Sequence, residues 1–196
     1  MKINLPKTPS SSSSPITAAF PLPRARLRPY RAGKGWIYEG GIREPLVIRW
    51  PKTIKPGGTC ETPIISTDFF PTFLQACGFD LMPGQHKDGT SFLNLLKDPS
   101  AKHERAPLFW HYPHWGNQGG IPSSAVRDGD WKLIEFYWKK GFELFDLSKD
   151  PGEHRDLAEE LPEKLATLNR LKPGIPYMKE KQRFLTTIKA QRRWTD

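Results

Sequence analysis

Between Pro107 and Leu147, apolar and polar residues alternate with period two in four short segments: Pro107–Tyr112, Ser123–Arg127, Trp131–Tyr137 and Phe142–Leu147. Such alternation puts every second side chain on one face of a sheet. With turn residues between the segments, the pattern predicts an antiparallel meander. Asp128-Gly129 and Lys140-Gly141 are suited to its hairpin turns, because glycine accepts the positive φ that tight turns demand. Leu161, Leu165 and Leu168 follow at helical spacing and predict a helix over 161–171 packed on the sheet.

Upstream the pattern is different. Pro45 to Trp50 is a short β-branched run bounded by glycines and prolines, which predicts a buried strand. Ser66-Thr67-Asp68 precedes an apolar stretch ending at Cys77-Gly78, so a capping residue starts a helix there and a glycine stops it. A shorter helix is expected over Ser91–Lys97. Residues 1–30 join a serine run to a Pro/Arg-rich segment that cannot bury enough apolar surface to offset chain entropy, and are expected to be disordered.

The formal charge of +9 suggests a nucleic-acid partner until it is located along the chain. Residues 1–38 carry +7 and residues 171–196 carry +5, which leaves the stretch 39–170 at −3. The basic balance therefore belongs to the ends, and no reader motif accompanies it, so no nucleic-acid partner is expected. No stretch approaches the roughly 20 apolar residues of a membrane-spanning helix. The start does not read as an export signal. Cys60 and Cys77 lie in no metal-binding spacing, so no metal site is expected, and spacing alone leaves their pairing open.

Lys34 sits between Gly33 and Gly35 in a loop leading toward the 45–50 strand. Glycines let a ligand come close to the backbone, and the compact ammonium suits an oxyanion such as sulfate or phosphate. The segment is not a Walker A loop, and on its own it fits a solvated lysine as well. Glu39 and Arg43, four residues apart, read as structural. Trp131, Phe136, Tyr137, Trp138, Phe142 and Phe145 read as sheet core in preference to a sugar-stacking platform.

The neighbours of Lys34 add a resemblance. Tyr38-Glu39-Gly40-Gly41-Ile42-Arg43, Pro45, Arg49-Trp50-Pro51, Ser66 to Thr72, Asp88 to Phe92, Phe109 to His114, Arg127 to Leu133, Glu143 to Leu147 and Asp150 to Glu153 follow in the order found in type I sulfatases. Residues 31–170 resemble the C-terminal part of these formylglycine-dependent, arylsulfatase-like members of the alkaline-phosphatase superfamily. The resemblance implies an α/β fold: the C-terminal portion of an alkaline-phosphatase-like α/β/α sandwich, then a small antiparallel-sheet-plus-helix (α+β) subdomain. The expected boundaries are 31–105 for the first part and 106–171 for the second, flanked by the disordered segment 1–30 and a basic tail 172–196.

By resemblance the class reaction is hydrolysis of a sulfate ester, on a sulfated carbohydrate or an aryl sulfate. Lys34 would contact the sulfate and its leaving oxygen, while His111 and His114 would contact the sugar. The family's cofactors are calcium and a formylglycine made from a Cys/Ser-x-Pro-x-Arg motif. That motif is absent from the 196 residues, and a Ser/Pro/Arg segment stands where calcium ligands are expected. This chain alone is therefore expected to bind neither cofactor and to be nearly inactive. Intact relatives are commonly periplasmic, secreted or lysosomal. The alternative is a non-catalytic accessory module that binds sulfated glycans. Nothing in the sequence sets an oligomeric state.

Overall fold

The computed structural model describes residues 17–19, 29–51, 53–139 and 141–171. They fall into two units, one built from residues 1–22 and 44–105 and the other from 23–43 and 106–196. The loop around Lys34 thus groups with the later meander, whereas the expected boundaries place it in a 31–105 part. The basic tail 172–196 lies outside the described residues.

In the first unit, β1 (Thr17–Ala19) pairs antiparallel with β2 (Val47–Arg49). Two expectations change here. Thr17–Ala19, placed in the disordered segment, forms a strand; β2 is shorter than 45–50 and is not buried, with Val47 65% exposed. A two-stranded ribbon has too few layers to enclose its own side chains, so a β-branched run supplies the strand without supplying a core.

A 3₁₀ turn at Ser66–Asp68 leads into α2 (Phe69–Ala76), which ends at Cys77 and the positive-φ Gly78. Phe69 packs edge-on against Phe92, at the start of α3 (Leu93–Lys97), with ring centroids 5.4 Å apart. The fully buried Asp68 organises this unit. Its carboxylate accepts from the Ile65 and Thr90 backbone N–H groups, both at 2.8 Å, and pairs with Arg105 at 2.5 Å. One acidic side chain thereby joins three separated stretches of chain. Asp68→Asn keeps the shape but turns an NH₂ toward a donor, so a loss of roughly 1.5–3 kcal/mol in unfolding free energy is expected. Chemical denaturation measures it, and an unchanged midpoint would show that the carboxylate is replaceable. Cys60 and Cys77 are exposed free thiols.

The second unit is the expected meander. β3 (Leu108–Tyr112), β4 (Ser123–Asp128), β5 (Trp131–Phe136) and β6 (Gly141–Asp146) form one antiparallel sheet in chain order. Gly129 takes the positive φ foreseen for the β4–β5 turn, whereas Gly141 is already a residue of β6. On one face Val126, Leu133 and Leu144 pack with Leu168 of α4 (Pro162–Leu171). On the other, Ala125, Ile134, Phe136 and Phe145 pack with Ile37 and Tyr38, just ahead of the short α1 (Glu39–Ile42). Because both faces are covered, the central strand β5 is buried almost throughout. No helix among the described residues is long and apolar enough to cross a membrane.

Candidate functional site

The register that aligns Arg127 with Lys132, and Lys132 with Phe145, sets Lys132 on the same sheet face as Ile134 and Phe136. A lysine there is fully buried and needs anions. Lys132 Nζ lies 2.9 Å from Glu39 Oε1 and 2.8 Å from Glu153 Oε1, and both carboxylates are buried. Arg127 also reaches Glu39, at 3.3 Å, while Glu153 Oε2 accepts the Glu39 backbone N–H at 2.6 Å. Glu153 holds a left-handed backbone, φ 54°, which costs energy for a residue with a Cβ and so marks a position over-determined by its surroundings. Burial pushes its carboxyl pKa up, and the Lys132 ammonium opposes that rise.

A second polar layer ties the same segment down. Tyr38 donates its hydroxyl to Glu143 at 2.7 Å, and Arg31 lies over the Tyr38 ring at 4.0 Å while donating to the Glu153 carbonyl at 3.0 Å. Burial, then the bond to Glu143, raises the Tyr38 pKa strongly. Two glycines complete the fold of the segment: a Cβ on Gly40 would fall 2.4 Å from the Arg31 carbonyl oxygen, and one on Gly41 would fall 2.1 Å from that of Trp36. Residues 31–43 therefore form a tight loop, held at one end by the half-exposed Arg31 and toward the other by the buried Glu39.

Lys34 is at the exposed tip of this loop, in an open cleft that Tyr30, Trp36, Gln118 and His154 also line. Among the described residues, Lys34 has no carboxylate partner. By contrast Arg31, Arg127, Lys132 and Lys139 of the same unit are all paired. The opposite wall is held close by glycine. A Cβ on Gly120 would fall 1.9 Å from the Gly35 carbonyl oxygen, and one on Gly119 would fall 2.6 Å from the Trp36 ring.

The structure does not bring His111 and His114 to Lys34. His111 pairs across β4 with Ser124, so it points to the α4 side of the sheet, away from the face that packs Ile37 and Tyr38. Its Nδ1 is 2.9 Å from both Ser124 Oγ and Tyr137 Oη, and burial, then the nearby His114, lowers its pKa. His114 stacks edge-on with Tyr112, centroids 5.9 Å apart. The histidine lining the cleft is His154, which sequence reasoning missed. Its only signal was its position next to the Asp150-Pro151-Gly152-Glu153 turn. Glu39 has the structural role read for it, with its carboxylate turned inward to Lys132 and Arg127.

Calcium and formylglycine do not fit what is present. Among the described residues no three His, Cys, Asp or Glu side chains are grouped to hold a metal ion. Cys60 is followed by Glu-Thr-Pro-Ile and Cys77 by Gly-Phe-Asp-Leu, neither of which makes Cys-x-Pro-x-Arg. The described cleft thus presents an exposed ammonium, and neither cysteine lies in that motif.

The family model described as "N-sulphoglucosamine sulphohydrolase, C-terminal" matches residues 32–180. A sulfatase of Formosa agariphila is 36% identical over 143 residues, covering 68% of this chain and 26% of its own. Among solved structures, Ps i-CgsB in complex with k-i-k-neocarrahexaose is similar with TM-score 0.64 at 26% identity, covering 75% of this chain and 32% of that one. BT4656 in complex with its substrate D-glucosamine-2-N,6-O-disulfate is similar with TM-score 0.58 at 28% identity, over 71% and 29% of the two chains. The chain therefore spans about a quarter to a third of the length of these relatives. With a matched C-terminal family model, an alkaline-phosphatase-like fold and a Gly-Lys-Gly loop set in the family's motif order, the chain belongs to the sulfatases and corresponds to their C-terminal part.

Proposed function

We propose that this chain forms one wall of a sulfatase active site, where Lys34 faces the sulfate ester of a sulfated carbohydrate. The observation that carries the reading is an exposed ammonium with no carboxylate partner among the described residues, on a loop anchored by the Lys132–Glu39–Glu153 cluster. A rigid anchor beneath an unneutralised cation is what recognition of a fixed oxyanion requires. Breaking the ester S–O bond places negative charge on the departing oxygen, and an ammonium held nearby stabilises that charge without moving. The carbohydrate class is supported by the two similar structures with sulfated saccharides bound.

Family chemistry needs a formylglycine and calcium, which these residues do not provide. The purified chain is expected to release no sulfate from 4-nitrophenyl sulfate or from sulfated glucosamine, with or without added calcium. A chimaera in which residues 31–171 replace the matched region of the Formosa agariphila sulfatase is expected to release it. Turnover by the isolated chain would overturn the need for a second part. A well-folded chimaera that binds but does not hydrolyse would overturn the place given to this wall.

A further inference from the structure

The loop that supplies Gln118 to the cleft also carries Trp115, whose indole is 57% exposed. Trp138, in the turn between β5 and β6, is 56% exposed. The two rings meet with centroids 5.5 Å apart and planes at 73°. Two large, half-exposed apolar rings in contact form a surface that gains from being covered. Trp138 is also the member of the aromatic series that departs furthest from the sheet-core reading, since Phe136 and Phe145 of the same series are buried.

The size of this surface decides what it suits. Two half-exposed indoles offer on the order of 250 Å² of ring, far below the ~800 Å² per partner of a stable protein interface. The loop that carries Trp115 also supplies the hydrogen-bonding side chains of His114, Asn117 and Gln118. A small apolar corner on a loop with hydrogen-bonding side chains suits a pyranose ring, which presents C–H groups on one face and hydroxyls around its edge. Indole also brings contact area at little entropic cost, having only two side-chain torsions. The link to the cleft is structural: Gly119 and Gly120, on the same loop, are packed on Trp36 and on the Gly35 carbonyl beside Lys34.

We propose that Trp115 and Trp138 form a stacking platform for a pyranose ring neighbouring the one whose sulfate faces Lys34, so that the chain reads an oligosaccharide and not a single sugar. The inference rests on the sulfated-carbohydrate reading and deepens it. It assigns the two faces of recognition to different chemistry: charge at Lys34, ring contact at the tryptophans.

The test uses the full chain and three probes: hexasaccharides of carrageenan, of heparin and of chondroitin sulfate, each with its desulfated counterpart. Binding is followed by calorimetry and by indole fluorescence, at a salt concentration high enough to screen attraction by the basic ends. The wild-type chain is expected to bind at least one sulfated probe with a fluorescence change. Trp115→Ala and Trp138→Ala are each expected to weaken that binding about tenfold, the size of one lost ring contact. Trp115→Tyr should recover part of it. Both sites are on the surface, so the variants are expected to keep the wild-type denaturation midpoint.

Wild-type affinity in both Ala variants, or no binding of any probe by the wild type, overturns the platform. Concentration-dependent dimerisation abolished by Trp115→Ala also overturns it, by making a second copy the occupant. The two readings fail separately. If Lys34→Ala and desulfation leave affinity unchanged while the Trp variants lose it, the platform stands and the sulfate reading falls; the reverse pattern removes the platform and keeps the sulfate reading.

Discussion

Replacing Lys132 by Met is expected to destabilise the second unit by about 3–5 kcal/mol, because it leaves two carboxylates buried with their main cation gone. Lys132 is fully buried and lies within 3 Å of both Glu39 and Glu153. Arg127 still reaches Glu39 but makes no ion pair with Glu153 among the described residues. The loss is therefore concentrated on Glu153. Adding Glu39→Gln and Glu153→Gln to the Met variant should restore much of the stability, since neutral groups of the same shape no longer require a counter-ion.

The pH dependence has a definite sign. Burial raises the folded-state pKa of Glu153, so the folded chain holds this proton more readily than the unfolded chain does. This group's contribution to stability is most favourable below the unfolded pKa and is lost as pH rises through the folded value. Without Lys132 the folded pKa rises further, so the Met variant should regain stability on mild acidification to a greater degree than wild type. Urea denaturation across the carboxylate range measures both curves. A Met variant as stable as wild type at neutral pH would show that the cluster is not an anchor.

In the chimaera with the Formosa agariphila sulfatase, Lys34→Ala is expected to lower kcat by about 10²–10³-fold, with a smaller rise in KM. The ammonium acts where charge grows, on the departing oxygen, so its removal raises the transition state more than the bound ground state. Arg in its place should recover little. The planar guanidinium is larger and spreads its charge over a fork, so it does not set a compact positive charge against the same oxygen. Steady-state kinetics on both variants decide the matter. An unchanged kcat for Lys34→Ala would reduce Lys34 to an ordinary surface lysine and withdraw the sulfate contact.

The meander and its covering helix were legible because alternation and helical spacing are local signals, and these elements pack as those signals direct. The strand at 45–50 was legible as a strand but not in its burial, which depends on how many neighbours the ribbon has. The Lys34 loop could be seen as a motif, yet what holds it could not. Glu39, Lys132 and Glu153 are separated by as much as 114 residues and meet only through the sheet register. One trace was present: Lys132 has the same strand parity as Ile134 and Phe136, so alternation already set a lysine on an inward face. His111 has motif residues as its sequence neighbours, and the face its side chain takes, on the α4 side, is set by the pleat and the register with Ser124.

The grouping of residues 29–43 with the sheet bears on how such sequences can change over generations. Lys34 takes its position from Gly40, Gly41, Lys132 and Glu153, and none of these lies in the 44–105 stretch. Insertions or deletions at 53–62 or 78–85 leave the lysine's supports untouched and are clear of the bonds to Asp68 and of the Gly89 contact with Thr67, so those segments are free to lengthen and diversify. The 113–122 loop has no such freedom next to Gly119 and Gly120, where even an added methyl meets Trp36 or Gly35. Variation among relatives should therefore fall unevenly, abundant in the 44–105 loops and sparse at the glycine contacts beside the lysine.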